Sequence, residues 1–212
     1  MGSDPSGASV DVLSPMEGVP RKPREEQAGG LFHVYARGNE RADIYRDADD
    51  RELYRMLLAS TVVRQGWLCL CYCLMPNHVH LLVETPKPNL GRGMQHLHSR
   101  YAQTFNARHS RDGHLFQGRY GAVAVTDDDQ LATTVSYIAT NPVNAGLADE
   151  PEAWSWGSHG PLVRGQAPPW LAGGRLRELL AGAFGGDGAE RYRELVAARL
   201  SAAAPEPSPS PA

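Results

Sequence analysis

Two histidines separated by one residue are the first candidates for chemistry in this sequence. His78 and His80 fall in the run NHVHLLVE, which has the apolar character of a strand. Because side chains alternate along a strand, both imidazoles are predicted on one face and Val79 on the other. A backbone rise of roughly 6 to 7 Å lets two such imidazoles converge on one divalent cation. The pattern therefore indicates a metal site, with two exposed strand histidines as the alternative.

A tyrosine and an asparagine form a second candidate pair. Tyr137 and Asn141 are four residues apart, a spacing that places both on one face of a helix. A phenol with its ordinary pKa of about 10 is a weak nucleophile at pH 7 and needs a nearby base or cation. A tyrosine that only packs is the alternative. Pro142 disfavours a continuing helix, so we expect the helix to end near Asn141.

The elements that must position these residues follow a recognisable order. The patterns predict strands at Leu31 to Arg37, Trp67 to Leu74, Asn77 to Glu84 and within GRYGAVAVT, and helices over Asp47 to Gln65, from the N-cap Asn89, and from Thr126 with Asp127, Asp128 and Asp129. The order βαββαβ followed by a helix predicts an α+β, ferredoxin-like fold with an antiparallel sheet and helices on one face.

The ends of the chain differ from its middle in composition. We predict a disordered tail over 1–29, the main domain over 30–153, a small helical extension over 154–200 and a second disordered tail over 201–212. Within the extension, apolar residues recur at helical spacing over Gly174 to Phe184 and Ala189 to Leu200.

Composition favours a folded protein with local positive charge. The 212 residues carry a formal net charge of −3 and 42% of them are hydrophobic, values typical of a globular chain. With no apolar run that could span a bilayer and no secretory signal, we expect a cytoplasmic protein without a membrane partner. Between Pro86 and Tyr120, basic residues outnumber acidic ones, which favours a polyanionic partner. A solvated basic helix face is the alternative.

Three cysteines alternate along one predicted strand. Cys69, Cys71 and Cys73 cannot form a disulfide framework, which fits a reducing compartment. A zinc module that combines them with His78 and His80 is an alternative, although the C-x-x-C spacing is absent.

Four stretches of the sequence resemble the single-tyrosine HUH transposases of bacterial insertion sequences, and among them the REP-associated tyrosine transposases. They are HVYARGN (33–39), YCLMPNHVHLLVETP (72–86), SRYAQTFNARHSRDGHLFQGRY (99–120) and YIATNPVNAGL (137–147). The resemblance covers the chain from about Leu31 to Ala153. Asparagine before Pro-Val is similar to the REP-associated group, whereas other relatives more often have glutamine there.

The resemblance implies an activity and its residues. His78, His80 and Asn141 would bind Mg2+ or Mn2+, and Tyr137 would attack the phosphorus to give a 5′-phosphotyrosine link and a free 3′-OH. The implied substrate is single-stranded DNA folded into an imperfect, REP-like hairpin. The candidate DNA contacts are Arg37, Gly38, Asn39, Arg100, Arg108, His114, Gln117, Arg119 and Tyr120.

Two other functions remain as alternatives. A non-catalytic DNA-hairpin-binding protein would be expected to have lost the histidines or the tyrosine, and all are present. A metal hydrolase with an H-x-H motif would need further ligands, and no clear pattern of them follows His80. The resembling family contains dimers and monomers, and the extension favours a monomer.

Overall fold

The structure is a computed structural model that describes residues 28–203. Its centre is an antiparallel sheet of four strands in the order β2-β3-β1-β4. The strands are β1 (Gly30–Arg37), β2 (Leu68–Met75), β3 (His78–Thr85) and β4 (Gly121–Ala124). The two inner strands, β1 and β3, run antiparallel along their whole length. Together with the helices between the strands, this order confirms the predicted ferredoxin-like α+β fold.

Helices connect and cover the strands. They are α1 (Ala48–Gln65), α2 (Leu90–Arg108), α3 (Asp128–Asn144), α4 (His159–Val163), α5 (Gly173–Phe184) and α6 (Gly188–Ala203), with 3-10 turns at Asn39–Arg41 and Pro151–Ala153. Helix α1 begins where an acidic cap is expected, because the Asp47 side chain accepts a hydrogen bond from the Asp50 backbone N–H.

Helices α1 and α2 cover one face of the sheet. Val79, Leu81 and Val83 of β3 point into this layer and pack in one core cluster with residues such as Tyr54 of α1 and Leu97 of α2. Each side chain of this size contributes about 1.5 to 3 kcal/mol when fully buried. This layer covers one face of the sheet and leaves the other face for the site.

The opposite face is covered by α3 and the C-terminal helices. Leu82 of β3 lies in a second core cluster with Val135 and Ile138 of α3 and Leu180 of α5. Val196 of α6 belongs to the same cluster. The predicted tyrosine-bearing helix and the predicted helical extension therefore form a second layer on the sheet.

Two local expectations differ from the structure. Asn89 precedes α2 as predicted, but its side chain makes no capping bond and instead accepts from Trp67 Nε1 and donates to the Gln65 carbonyl. The prediction that α3 ends near Asn141 is wrong, because the helix continues through Pro142 to Asn144. Pro142 is buried, and packing of this last turn outweighs the lost backbone donor.

The structure describes only part of the two predicted tails. Most of the two predicted tails lies outside residues 28–203, while α6 extends to Ala203. None of the helices in this range is long and apolar enough to cross a membrane.

Candidate active site

The two histidines of β3 lie on the face that α3 covers, as strand alternation predicts. His80 is buried, and His78 on the same face is half-buried at the start of the strand. Their ring centroids are 4.9 Å apart. Val79 between them points to the opposite core. The imidazoles therefore lie close enough together to share a ligand.

His78 is oriented by asparagines on both sides. Its Nδ1 lies 2.7 Å from Asn77 Oδ1, and Asn77 Nδ2 donates to the Arg41 carbonyl, which identifies the Asn77 oxygen as an acceptor. Burial lowers the pKa of His78 to about 4, so the ring is neutral at pH 7 and Nδ1 carries its hydrogen. His78 Nε2 then has a lone pair, and it faces Asn141 Oδ1 at 3.3 Å.

His80 is held by a histidine of the neighbouring strand. Its Nδ1 lies 3.0 Å from Nε2 of His33 on β1. Burial lowers the pKa of His33 to about 4 and that of His80 well below its usual value, so both rings are neutral. His80 Nε2 is buried without a hydrogen-bond partner among the described residues. A buried nitrogen of this kind costs free energy unless a ligand uses it.

Tyr137 lies beside the histidines on α3. Its ring centroid is 5.1 Å from that of His80 and 6.0 Å from that of His33. Ile138 faces the core, so the preceding residue is turned by roughly 100° toward the flank of the helix. Asn141 is one turn further along the same helix and approaches His78. The structure thus brings His78, His80, Tyr137 and Asn141 together.

The donor set fits a divalent cation. His78 Nε2 and His80 Nε2 offer imidazole nitrogens, and Asn141 Oδ1 offers an amide oxygen. Neutral imidazole and oxygen ligands together suit divalent metals of the first transition row and, through the oxygen, Mg2+. The lone pair on His78 and the unpartnered nitrogen on His80 are what such an ion would satisfy.

A second group of potential ligands is better explained as ion pairing. Asp47, Asp50 and His109 place ligand atoms within 4.8 Å of one another. Arg108 Nη1 lies 2.7 Å from Asp47 and 2.5 Å from Asp50, so a guanidinium already neutralises these carboxylates. A cation placed there would be repelled by Arg108. We therefore assign this group to the packing of α1 against α2.

His33 is the member of the site that sequence reasoning missed. Residues 33, 35 and 37 alternate with buried Val34 and Ala36, so the pattern LFHVYAR itself places His33, Tyr35 and Arg37 on one face. That face is the one that His80 occupies, because His80 pairs with Tyr35 in the register. The alternation in β1 was the sequence signal that could have identified His33. Only the register between β1 and β3 shows that His33 lies beside His80.

The predicted DNA contacts divide into two groups. Asn39, His114, Gln117, Arg119 and Tyr120 line one groove of about 880 Å3 between α2 and the segment before β4. Of these, Tyr120 is buried, while His114, Gln117 and Arg119 are exposed. The groove adjoins the site end of the sheet, because Gln117 N–H donates to the carbonyl of Arg37.

The remaining candidates lie elsewhere or have structural roles. Gly38 lies in a tight turn where a Cβ would come 2.0 Å from the Ala42 carbonyl oxygen, which requires glycine. Arg37 is half-buried on the histidine face, and Arg100 is exposed on α2. Arg108 forms ion pairs with three aspartates, so its charge is compensated by the protein itself and is not available to a DNA phosphate.

The cysteines give the zinc alternative no support. Cys69 lies in the core cluster beneath α1 and α2, whereas Cys71 and Cys73 lie in the cluster beneath α3, since β2 is irregular between Cys69 and Cys71. Burial raises the pKa of Cys69 to about 12 and the pKa values of the other two thiols as well. Neutral thiols in two separate cores do not form a zinc site.

Comparison with known proteins agrees with the fold and the motifs. Residues 28–141, just over half of the chain, match the family described as IS200-like transposases. A curated protein of Haemophilus influenzae, described as a REP-associated tyrosine transposase, is 24% identical over 162 residues, which cover 71% of this chain and 92% of the relative.

One solved structure shows the same fold, and a second was compared with this chain. A REP-associated tyrosine transposase bound to a REP hairpin superposes with a TM-score of 0.60 at 15% identity, covering 72% of this chain and 90% of the other. A Deinococcus radiodurans protein described as a transposase has a TM-score of 0.40 at 18% identity, covering 50% of this chain and 87% of the other. Because more than half of the sequence matches the family, the chain belongs to the IS200-like transposases, a family of DNA-nicking and DNA-joining enzymes.

Proposed function

We propose that this transposase cleaves and rejoins single-stranded DNA that carries an imperfect, REP-like hairpin, through a covalent 5′-phosphotyrosine intermediate that requires a divalent metal. The observation that carries the proposal is the convergence of Tyr137 with His78 and His80 on one face of the sheet. A hydroxyl nucleophile beside a metal-binding set is the arrangement that phosphodiester transfer needs.

The residues of the site have different roles in this reaction. His78, His80 and Asn141 would hold Mg2+ or Mn2+, and His33 keeps the His80 ring in place through the 3.0 Å contact between the two imidazoles. The chemistry that such an ion would supply is polarisation of the scissile phosphate and neutralisation of the charge that develops on it. Tyr137 supplies the nucleophilic oxygen from the adjacent helix.

The proposed step balances without a further reactant. The phenol oxygen of Tyr137 forms a bond to phosphorus while the bond between phosphorus and the 3′ oxygen of the preceding nucleotide breaks. The phenol loses one proton and the departing 3′ oxygen gains one, so the products are a 5′-phosphotyrosine and a free 3′-OH. Attack of another 3′-OH reverses the step and joins strands, because the covalent link conserves the phosphoester bond.

The groove on the α2 side, which meets the site end of the sheet at Arg37, supports a DNA strand as the partner. Arg119 is exposed there and forms no ion pair with any described residue. His114 and Gln117 add exposed polar groups along the same segment, and Asn39 closes one end. Unpaired bases and phosphates bind such combinations of positive charge, polar groups and aromatic surface. The fold shared with a transposase solved on a REP hairpin is consistent with this assignment.

The test is covalent capture. Wild-type protein and Tyr137→Phe are incubated with end-labelled hairpin DNA in Mg2+, Mn2+ or EDTA and separated on a denaturing gel. We expect a protein–DNA adduct with wild type in either metal, no adduct in EDTA and none with Tyr137→Phe. Tyr72→Phe is a matched control, because Tyr72 packs in the opposite core cluster against Trp170.

Other results would indicate a different function for this protein. Cleaved DNA without an adduct would indicate a metal hydrolase. Hairpin binding without cleavage, over a panel that includes hairpins from the neighbourhood of the gene, would indicate a non-catalytic DNA-binding protein. An adduct that persists in Tyr137→Phe would assign the nucleophile to another residue.

A further inference from the structure

The C-terminal helix reaches the candidate active site with one side chain. The guanidinium carbon of Arg199, on α6, lies 5.2 Å from the centroid of the Tyr137 ring. Arg199 lies beyond residue 141, where the family match ends. A guanidinium within about 6 Å of an aromatic ring is attracted to it by the ring quadrupole. The part of the chain that matches the family therefore includes Tyr137 but not Arg199.

The placement of Arg199 follows from the packing of α6 on α3. Tyr192, Val196 and Arg199 recur at helical spacing and share one face of α6. Val196 lies in the core cluster with Val135 and Ile138 of α3. One turn after this buried valine, the same face of α6 comes beside Tyr137.

A buried polar contact anchors the other end of that face. The hydroxyl of Tyr192 lies 3.0 Å from Nδ1 of His159, whose Nε2 lies 3.0 Å from Glu152. Tyr192 and His159 are both buried, so the contact ties α6 to the start of α4, while Val196 packs α6 against α3. Arg199 is therefore held in place by packing on its own helix rather than by ion pairs of its own.

The polar groups of Arg199 have no other partner in the described part of the chain. Its Nε is buried without a hydrogen bond, and no carboxylate there pairs with its guanidinium. The imidazoles of His80 and His33 lie near the same ring, which Arg199 also contacts. Among the described residues, the one aromatic ring that this half-buried cation contacts is therefore that of the candidate nucleophile.

We propose that Arg199 is a positioning residue that holds the Tyr137 ring against the two-histidine site, so that α6 is part of the active site. This inference rests on the proposed function of Tyr137. The guanidinium stacks on the phenol ring and limits its rotation, which keeps the nucleophilic oxygen near the phosphate. Removing the contact slows attack without weakening DNA binding.

The experiment measures adduct formation in a single turnover with hairpin DNA and Mn2+, using excess full-length protein. Cation–π contacts of ordinary strength predict a rate of adduct formation about 2- to 30-fold lower in Arg199→Ala, with an unchanged half-saturating protein concentration. Arg199→Lys, which keeps a cation, is expected to recover part of the rate. Arg191→Ala is the control on the same helix, because Arg191 pairs with Glu194 near the protein surface.

A second measurement does not depend on activity. Protein labelled with 3-fluorotyrosine gives fluorine resonances from its 8 tyrosines, and Tyr137→Phe identifies the one from position 137. We expect Arg199→Ala to shift that resonance in the metal-free, DNA-free protein and Arg191→Ala to leave it unchanged. Arg199→Met, which keeps the aliphatic stem, replaces the alanine variant if the latter does not fold.

Several results would overturn the inference while leaving the proposed function intact. Wild-type rates in a folded Arg199→Ala protein would show that the contact has no part in the reaction. A loss of DNA affinity on adding Arg199→Ala to Tyr137→Phe would show that Arg199 binds phosphate instead. A faster rate in Arg199→Ala would mean that the contact restrains the tyrosine in an unproductive position. If wild type itself forms no adduct, the proposed function fails first.

Discussion

His33 Nε2 lies 3.0 Å from His80 Nδ1, joining the two inner strands of the sheet through a pair of neutral imidazoles. One hydrogen is shared between these two nitrogens. When His80 Nδ1 donates it, His80 Nε2 carries the lone pair that a metal ligand needs. A residue that fixes the tautomer and orientation of a ligand contributes to metal affinity without touching the ion.

Replacement of His33 is expected to weaken metal binding. His33→Ala removes the partner of His80 Nδ1, and loss of such a supporting contact typically lowers metal affinity about 10- to 100-fold. Titration of DNA-free protein with Mn2+, followed by electron paramagnetic resonance of the free ion, measures this change. His96→Ala, on the α2 side of the sheet, is the control. Wild-type affinity in His33→Ala would remove His33 from the site.

The alternation of side chains made much of this site predictable from sequence. A period of two is a local property, so His78 and His80 could be placed on one face, opposite Val79, before any fold was known. The same reasoning applied to β1 would have found His33. Its importance depends on the pairing of β1 with β3, which joins segments distant in sequence.

Long-range packing accounts for what sequence did not reveal. Arg108 belongs to a basic segment that favoured DNA contact, but α1 brings three aspartates to it from an earlier part of the chain. Arg199 reaches Tyr137 because α6 packs along α3, and no local pattern predicts that contact. At Pro142 the local sequence predicted the end of a helix, but burial of the last turn of α3 outweighs the low helix propensity of proline.

Asp50 is expected to contribute to stability through its buried carboxylate. The group accepts from the Arg46 backbone N–H at 2.8 Å, from Arg108 at 2.5 Å and from His109 at 2.8 Å. Asp50→Asn should lower the free energy of unfolding at pH 7 by about 1 to 3 kcal/mol, because donors around a buried site lose a charged acceptor. Urea unfolding measures the change. Asp49→Asn, at an exposed carboxylate of the same cluster, should cost much less.

The effect of Asp50 should depend on pH in a defined direction. Burial alone would raise the pKa of Asp50, but the hydrogen bonds from Arg46, His109 and Arg108 outweigh it and lower the pKa. A carboxylate with a lowered folded-state pKa stabilises the fold above its unfolded value of about 3.9, and this contribution is lost as the pH falls through the folded value. Wild type and Asp50→Asn should therefore converge in stability below about pH 4. A constant difference down to pH 2 would contradict this origin.

Arg119 is expected to bind the DNA backbone. In a Tyr137→Phe background, which prevents covalent capture, Arg119→Ala should weaken binding of labelled hairpin DNA. The slope of the logarithm of affinity against the logarithm of salt concentration should fall in magnitude by about 1. Fluorescence anisotropy over a series of salt concentrations gives both quantities. Arg55→Ala is the control, because Arg55 on α1 pairs with Glu52. Equal salt slopes for Arg119→Ala and the parent would place the DNA outside the groove.

The packing of α3 predicts that the protein is a monomer. Leu131, Val135 and Ile138 form the apolar side of α3, and the sheet together with α5 and α6 of the same chain covers it. A helix whose apolar side is already buried has no such surface left to exchange with a second copy. Gel filtration with light scattering at micromolar protein should therefore give a mass near 23.1 kDa.

A variant tests whether α6 is what keeps the chain monomeric. Val196→Asp places a charge in the cluster that α6 shares with α3, where Val196 is 4% exposed. Burying an unpaired charge is unfavourable, so α6 should detach and uncover the apolar side of α3. The expected result is a dimer or larger species in scattering, whereas Leu195→Asp on the partly exposed flank of α6 should perturb the mass less. A wild-type protein of twice the monomer mass would contradict the monomer prediction.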